Sequence, residues 1–249
     1  MVDFNNKGIL EIVRNQLALD MNCNAHDFLS DGIFFCESKL NEGRRMLERQ
    51  TPFLEIVTMG KGIVVSSDLT ILEKVKPVIE NKFRDDLFCA PFLFGHSLYY
   101  VPDCNSIRKL PCPSGFTTHI KEGKDIYYLY EFPGFINSLQ YTENSTHPDN
   151  LALYAMKENK IAGMAGASID SKVMWQIGID ILPPYRNVGL ASYLVSNLAI
   201  MIMERGIIPY YGTASSNIPS QKVAYHSGFI AAWMCNYKNT FDGKPPFNI

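Results

Sequence analysis

The segment Arg186-Asn187-Val188-Gly189-Leu190-Ala191 has the richest chemical content in this chain. It lies between an apolar run ending at Leu182 and a repeat of apolar residues every fourth position, Leu190, Leu194, Leu198 and Ile202. That pattern predicts a strand, a tight turn and then a helix. A helix N-terminus presents unpaired N–H groups and a partial positive charge, so such a junction suits an anion. Gly189 has no Cβ to keep a phosphate from the backbone, Ala191 is small enough for close packing of the first turn, and Arg186 can add a full charge. Taken alone, the same residues also suit a surface arginine and a helix-opening glycine with no ligand.

The elements around this turn are legible. Three strand-like runs, 151–157, 161–169 and 173–182, are divided by the turns Glu158-Asn159-Lys160 and Asp170-Ser171-Lys172. Connections this short force antiparallel neighbours, which predicts a meander. The helix after the turn ends at Gly206, a strand is predicted at 207–213, a short helix from Ile218 to before Gly228, and a last strand at 231–237. Residues 126–141 are an aromatic segment and 142–150 a polar loop. The residues before them read as mixed α/β: strands at 53–58 and 62–66 around Gly60, then a helix capped by Ser67 or Asp68 with Pro77 inside it. The aromatic stretch 88–100 reads as buried core. Between 102 and 116 the chain is rich in proline, cysteine, serine and glycine, which predicts a boundary between a smaller α/β unit, 1–115, and a second unit, 116–249.

Bulk properties exclude several classes. The chain has 249 residues, 47% of them hydrophobic, and a net charge of −2, so a folded protein is expected, without the positive field of a sequence-independent nucleic-acid binder. No leader-like start and no apolar run long enough for a membrane predict a cytoplasmic protein without a membrane partner. The six cysteines form no C-x-x-C pair and read as reduced, and Cys104, Cys112 and His119 fit no common zinc spacing, so no metal is expected.

The turn resembles the acetyl-CoA signature of the GNAT superfamily, [Q/R]-x-x-G-x-[G/A], at its place between a long central strand and a helix. Asn217 and Ser220, followed by Gly228-Phe229, are similar to the second block of that family. The resemblance covers about 116–249 and does not extend to 1–115. It implies a GNAT acyltransferase fold, a mixed, mostly antiparallel splayed sheet with flanking helices. It also implies acetyl-CoA as co-substrate, with no metal and no covalent intermediate. By the same resemblance, backbone groups of Ile179, Asp180 and Ile181 serve the pantetheine arm. The N–H groups of Asn187, Val188, Gly189, Leu190, Ala191 and Ser192 hold the pyrophosphate beside Arg186, and Asn217 and Ser220 complete the cofactor side. The runs 177–186 and 210–223 are most similar to a bacterial group that includes zwittermicin-type resistance acetyltransferases. The acceptor implied is a primary amine of a small molecule or peptide, and the oligomeric state stays open, a homodimer included.

Direct acyl transfer needs two proton movements. A thiol with a pKa of about 8.5 is a fair leaving group unaided, whereas a lysine-like amine at about 10.4 must lose a proton before it attacks. Many family members place a tyrosine on the short helix to protonate the thiolate; here that slot is Ala224. Tyr225 and His226 lie one and two residues on, each step turning the side chain by about 100°, and Ser220 shares the face of Ala224. The base candidates are Asp180, Glu131 and His147, and sequence does not choose among them. Ala224 also suits a rival reading, an acyl-CoA-binding or regulatory module without catalysis. A Rossmann-type dinucleotide site would need two further glycines that this turn lacks.

Overall fold

A computed structural model describes residues 4–46 and 53–239. By contacts within the chain the protein divides into two units, each made of separate stretches of sequence. The first comprises Met1–Ile9, Tyr100–Gly212 and Ile218–Ala231, and the second Leu10–Tyr99, Thr213–Asn217 and Ala232–Ile249. The stretch 102–116, where composition predicts a boundary, lies wholly inside the first unit. Irregular backbone there is held to a helix of its own unit: Ser196 donates to the carbonyl of Arg108 at 2.6 Å and Asn197 to that of Leu110 at 3.1 Å.

The first unit is built on an open sheet. Strands β5 (Thr117–Glu122), β6 (Asp149–Lys157), β7 (Lys160–Ile169) and β8 (Met174–Ile181) form an antiparallel meander, and β9 (Ile208–Ala214) adds in parallel to β8. Glu158 and Asn159 both take positive φ, 50° and 61°, in the two-residue turn between β6 and β7. That geometry matches the right-handed twist of a hairpin. A parallel pair requires a crossover, and α4 (Leu190–Met203) supplies it. Leu190, Leu194, Val195, Leu198, Ala199 and Ile202 are buried along one stripe of α4, which lies against β6, β7 and β8. The other core cluster of this unit gathers Ile126, Leu129, Phe135, Leu139 and Met164. The predicted aromatic segment opens in a 3-10 turn, Gly123–Glu131, and continues as irregular chain. The short helix α5 (Ile218–His226) closes the set. Strand β5 was not expected from sequence.

The second unit carries α1 (Asn6–Met21) from its residue Leu10 onward, with β1 (Ile33–Glu37), β2 (Leu54–Thr58) and β3 (Ile63–Ser67). β1 runs parallel to β3, β2 and β3 form an antiparallel hairpin, and β10 (Phe229–Asn239) pairs with β2 through Met234 and Cys235. Helices α2 (Leu69–Ile79) and α3 (Arg84–Phe88) cover a core of Ile56, Val65, Ile71, Val75, Ile79 and Leu87. Asp68 stands at the N-cap of α2, as predicted, but its carboxylate accepts from the Phe53 N–H at 3.0 Å and the Ser38 hydroxyl at 3.2 Å instead of capping the helix. Pro77 lies inside α2, two residues before its end. Of the aromatic stretch 88–100, Phe88 and Tyr100 are buried, and Phe92 and Tyr99, the latter on β4 (Leu93–Pro102), are half-buried. The fold is mixed α/β with a mostly antiparallel open sheet and flanking helices, the class the sequence predicts.

Candidate active site

The predicted anion turn forms as a left-handed kink between β8 and α4. Asn187 has φ 62° and Gly189, at the N-cap of α4, has φ 80°. Glycine is therefore required at 189 by the backbone, a reason separate from ligand access. Access is also present: a Cβ at Gly189 would meet no atom within 4 Å. The first bond of the helix joins the Tyr193 N–H to the Gly189 carbonyl at 3.1 Å, so the N–H groups of Leu190, Ala191 and Ser192 have no carbonyl four residues back within the helix. A helix of 14 residues carries its full end charge here. Asn187, Val188 and Gly189 are exposed. Arg186 is exposed as well, and its Nε donates to the carbonyl of Ile181 at 2.9 Å. That bond ties the turn to the end of β8.

Just before this turn, β8 loses one neighbour. Its ladder with β9 covers Met174 to Ile177, ending at the Ile177–Tyr211 pair, whereas its ladder with β7 continues to Ile181. The last four residues of β8 thus have one open edge. Strand alternation decides which backbone groups face it. The N–H of Leu182 donates to Ala162 of β7, and the carbonyl of Val173 accepts from Ile208 of β9. Even-numbered residues therefore direct their backbone to β7 and odd-numbered ones to β9. Ile179 and Ile181 face the open edge; the backbone of Asp180 does not, and the Ile181 carbonyl already accepts from Arg186.

The predicted proton-transfer residues fall in different settings. The carboxylate of Asp180 accepts from the N–H of Asn137 (2.8 Å), the side-chain amide of Asn137 (2.6 Å) and the N–H of Ser138 (3.0 Å), while the Ser138 hydroxyl donates to the Met164 carbonyl at 2.6 Å. Three donors occupy the carboxylate, and it anchors a turn over the sheet. Gly166 and Gly178, paired across β7 and β8, make room for that turn: a Cβ on either would lie 1.8 Å from the Ser138 carbonyl oxygen or 1.6 Å from that of Asn137. Glu131 is exposed at the end of the 3-10 turn, and His147 is half-buried, its N–H donating to Ser145. Ala224 is fully buried, and Tyr225 is 54% exposed, its ring edge-on to Tyr100 at 5.4 Å. Asn217 is exposed in the turn after β9, its N–H bonded to Ala214, and belongs to the second unit.

Ser220 is brought to a residue that sequence reasoning missed. Its hydroxyl and that of Tyr211 on β9 share a hydrogen bond of 2.5 Å. Tyr211 is buried, and burial pushes its pKa above the ordinary value, with the nearby Asp180 charge adding to the rise and the Ser220 bond opposing it. Its phenol stays protonated at neutral pH. The signal for Tyr211 was present, since it closes the β8–β9 ladder, but a tyrosine in an apolar strand reads as core until its hydroxyl is seen to have a partner. Nearby, Tyr210 donates to Asp170 and to Gln176 at 3.2 Å, a buried polar network within the sheet. Among the described residues there is no group of three His, Cys, Asp or Glu side chains placed to hold a metal ion, and no helix long and apolar enough to cross a membrane.

Residues 115–229 match the model of the acetyltransferase (GNAT) family. No curated protein matches the chain. Among solved structures, an acetyltransferase of the GNAT family from Novosphingobium aromaticivorans is similar at 18% identity, TM-score 0.43, over 59% of this chain and 66% of that one. A GCN5-related N-acetyltransferase-like protein from Streptococcus suis is similar at 17% identity, TM-score 0.46, over 71% and 72%. An aminoglycoside acetyltransferase from an uncultured soil sample, solved with sisomicin, is similar at 13% identity, TM-score 0.35, over 45% and 87%. That family-model match runs from just before β5 to the first residue of β10.

Proposed function

We propose that this protein is an acetyl-CoA-dependent N-acetyltransferase that passes the acetyl group directly to a primary amine of a small molecule or peptide. One observation carries the reading. The edge of β8 opens after Ile177, four residues of unpaired edge run to the end of the strand, and an exposed left-handed turn at a helix N-terminus follows at once. A long ligand with an anionic end and an amide-bearing arm fits that sequence of surfaces. The N–H groups at the start of α4 and the Arg186 guanidinium bind the pyrophosphate. Ile179 and Ile181 offer their backbone to the pantetheine amides as an added strand would. Bound acetyl-CoA supplies a thioester whose carbonyl carbon is open to attack by an amine.

On the leaving side Ser220 donates a hydrogen bond to the thiolate as it forms, and the departed thiolate takes its proton from water. Tyr211 donates to Ser220, which frees the serine hydrogen to point at the thiolate as it forms. Tyr211 acts through Ser220 and is a positioning residue. Asp180 holds the turn at 137 and 138, with its lone pairs engaged, and takes no part as base in this scheme. Glu131 and His147 remain for amine deprotonation, directly or through water. The test is release of free CoA by the purified protein with acetyl-CoA and a panel of polyamines, aminoglycosides and lysine peptides. Acceleration by at least one amine, with the acetylated amine found by mass spectrometry, is expected. Tight acetyl-CoA binding without turnover on any amine would instead favour the non-catalytic module to which Ala224 points.

A further inference from the structure

The turn anchored by Asp180 carries a side chain that the proton transfers do not use. Ser138 lies over Gly166 of β7 and Asn137 over Gly178 of β8, so close that a Cβ on either glycine would run into the carbonyl above it. From Ser138 back to Asn137 the chain thus crosses from β7 to β8, toward the edge that opens after Ile177. The turn fills this face of the two strands, so α4, which lies against the same strands, packs on the other face. A cofactor whose anionic end sits at the start of α4 leaves the face of the turn to the second substrate. Asn137 is exposed there, next to Ile136, which is 79% exposed.

The amide of Asn137 has one orientation. Its Nδ2 donates to Asp180 Oδ1 at 2.6 Å, and its backbone N–H donates to Asp180 Oδ2 at 2.8 Å. A carboxylate only accepts, so turning the amide over would set oxygen against oxygen. The Asn137 Oδ1 therefore points away from Asp180, and among the described residues no group donates to it. The result is a fixed hydrogen-bond acceptor beside the open edge.

We infer, resting on the acetyltransferase reading, that the Asn137 Oδ1 accepts a hydrogen bond from the attacking amine and selects primary over secondary amines, with Asp180 as the positioning residue behind it. The bond changes explain the selection. The lone pair of RNH2 attacks the thioester carbonyl, the C–N bond forms and the C–S bond breaks. One N–H proton leaves to the base, the CoA thiolate takes a proton from water, and the second N–H stays in the amide RNH–CO–CH3. Asn137 holds that second N–H from encounter to product. A secondary amine has one N–H and must lose it, so it reaches the product with nothing left for Asn137 to accept.

The experiment compares the full chain with Asn137→Ala, using the best primary amine of the CoA-release panel and its N-methyl derivative. For a lysine peptide, the second probe is the same peptide carrying Nε-methyllysine. The backbone bond from residue 137 to Asp180 survives this substitution, and circular dichroism checks the fold. In Asn137→Ala, kcat/KM for the primary amine should fall about tenfold, the worth of one neutral hydrogen bond, while that for the N-methyl amine changes by less than about twofold. KM for acetyl-CoA should stay as it is. Asn137→Ser, whose oxygen is one bond short of the amide position, should behave alike and decides if the alanine variant is misfolded. Where the parent does not turn over the N-methyl amine, the loss on the primary amine against an unchanged KM for acetyl-CoA decides alone. Equal losses on both amines, or none on the primary amine, would overturn the inference and leave acetyl transfer standing. A parent that releases no CoA with any amine removes the acetyltransferase reading, and this inference with it.

Discussion

At the scale of single residues, the turn at 186–190 separates a backbone requirement from a binding role. Gly189 has φ 80° in open space, so Gly189→Val places a β-branched residue in the left-handed region at a cost of about 1–2 kcal/mol. Affinity for acetyl-CoA should fall by more than that conformational cost suggests, about tenfold or beyond, because the new methyl groups occupy the space where the pyrophosphate approaches. Calorimetric titration beside a denaturation curve reads both; unchanged affinity would remove the turn from the cofactor site. Arg186→Ala should give a loss that shrinks at high salt, since the side chain is exposed. On the leaving-group side, Ser220→Ala should lower kcat by about a hundredfold with KM for acetyl-CoA little changed. Tyr211→Phe should lower kcat less and leave the alkaline limb of the pH profile in place, because Ser220 still has its own proton. A Tyr225→Phe variant that loses more activity than Ser220→Ala would transfer the role to the exposed tyrosine of α5.

Elements explain why those residues meet and why the sequence disclosed only some of it. The turn at 137 and 138 sits on β7 and β8 because Gly166 and Gly178 lack side chains and Asp180 collects three donors from it. Gly178→Ala drives a Cβ into the Asn137 backbone, and overpacking against main chain costs about 1–3 kcal/mol. Chemical denaturation should show that loss, and a midpoint equal to the parent's would mean the turn is not seated there. The meander, α4 and α5 were legible because their apolar periods and short turns are local signals. Gly189, Arg186 and Ala191 were legible for the same reason. Asp180 looked like a base because its type suits one, and only contacts 42 and 43 residues away in sequence reveal that its lone pairs are taken. Strand β5 escaped notice: its residues 117–122 are mostly exposed, so no apolar alternation marks it, and pairing with β6 makes it a strand. The boundary expected at 102–116 rested on composition, which cannot show that Ser196 and Asn197 hold that stretch to α4.

Across the whole molecule, the distribution of buried phenols sets a limit on stability at high pH. Tyr100, Tyr130, Tyr141, Tyr154 and Tyr211 in the first unit are all pushed above the ordinary phenol range, with burial the leading cause in each. In the second unit Tyr99 is pushed up as well, with the neighbouring Cys235 the leading cause and burial the next. For each of these groups the folded pKa exceeds that of the unfolded chain, about 10. Between those two values the unfolded state has released a proton that the folded state keeps. Stability is thus intact below about pH 10 and falls as pH rises through that window, each such group removing up to about 1.4 kcal/mol per pH unit. The losses from several such groups add, so stability should fall steeply as pH rises above about 10. Thermal melts at stepped pH, followed by circular dichroism and by tyrosinate absorbance on the same sample, check this. The phenols pushed upward should ionise only in step with loss of the dichroism signal. If all the tyrosines ionise near pH 10 while the dichroism stays native, the buried hydroxyls are open to water and the sheet of the first unit is looser than its core indicates.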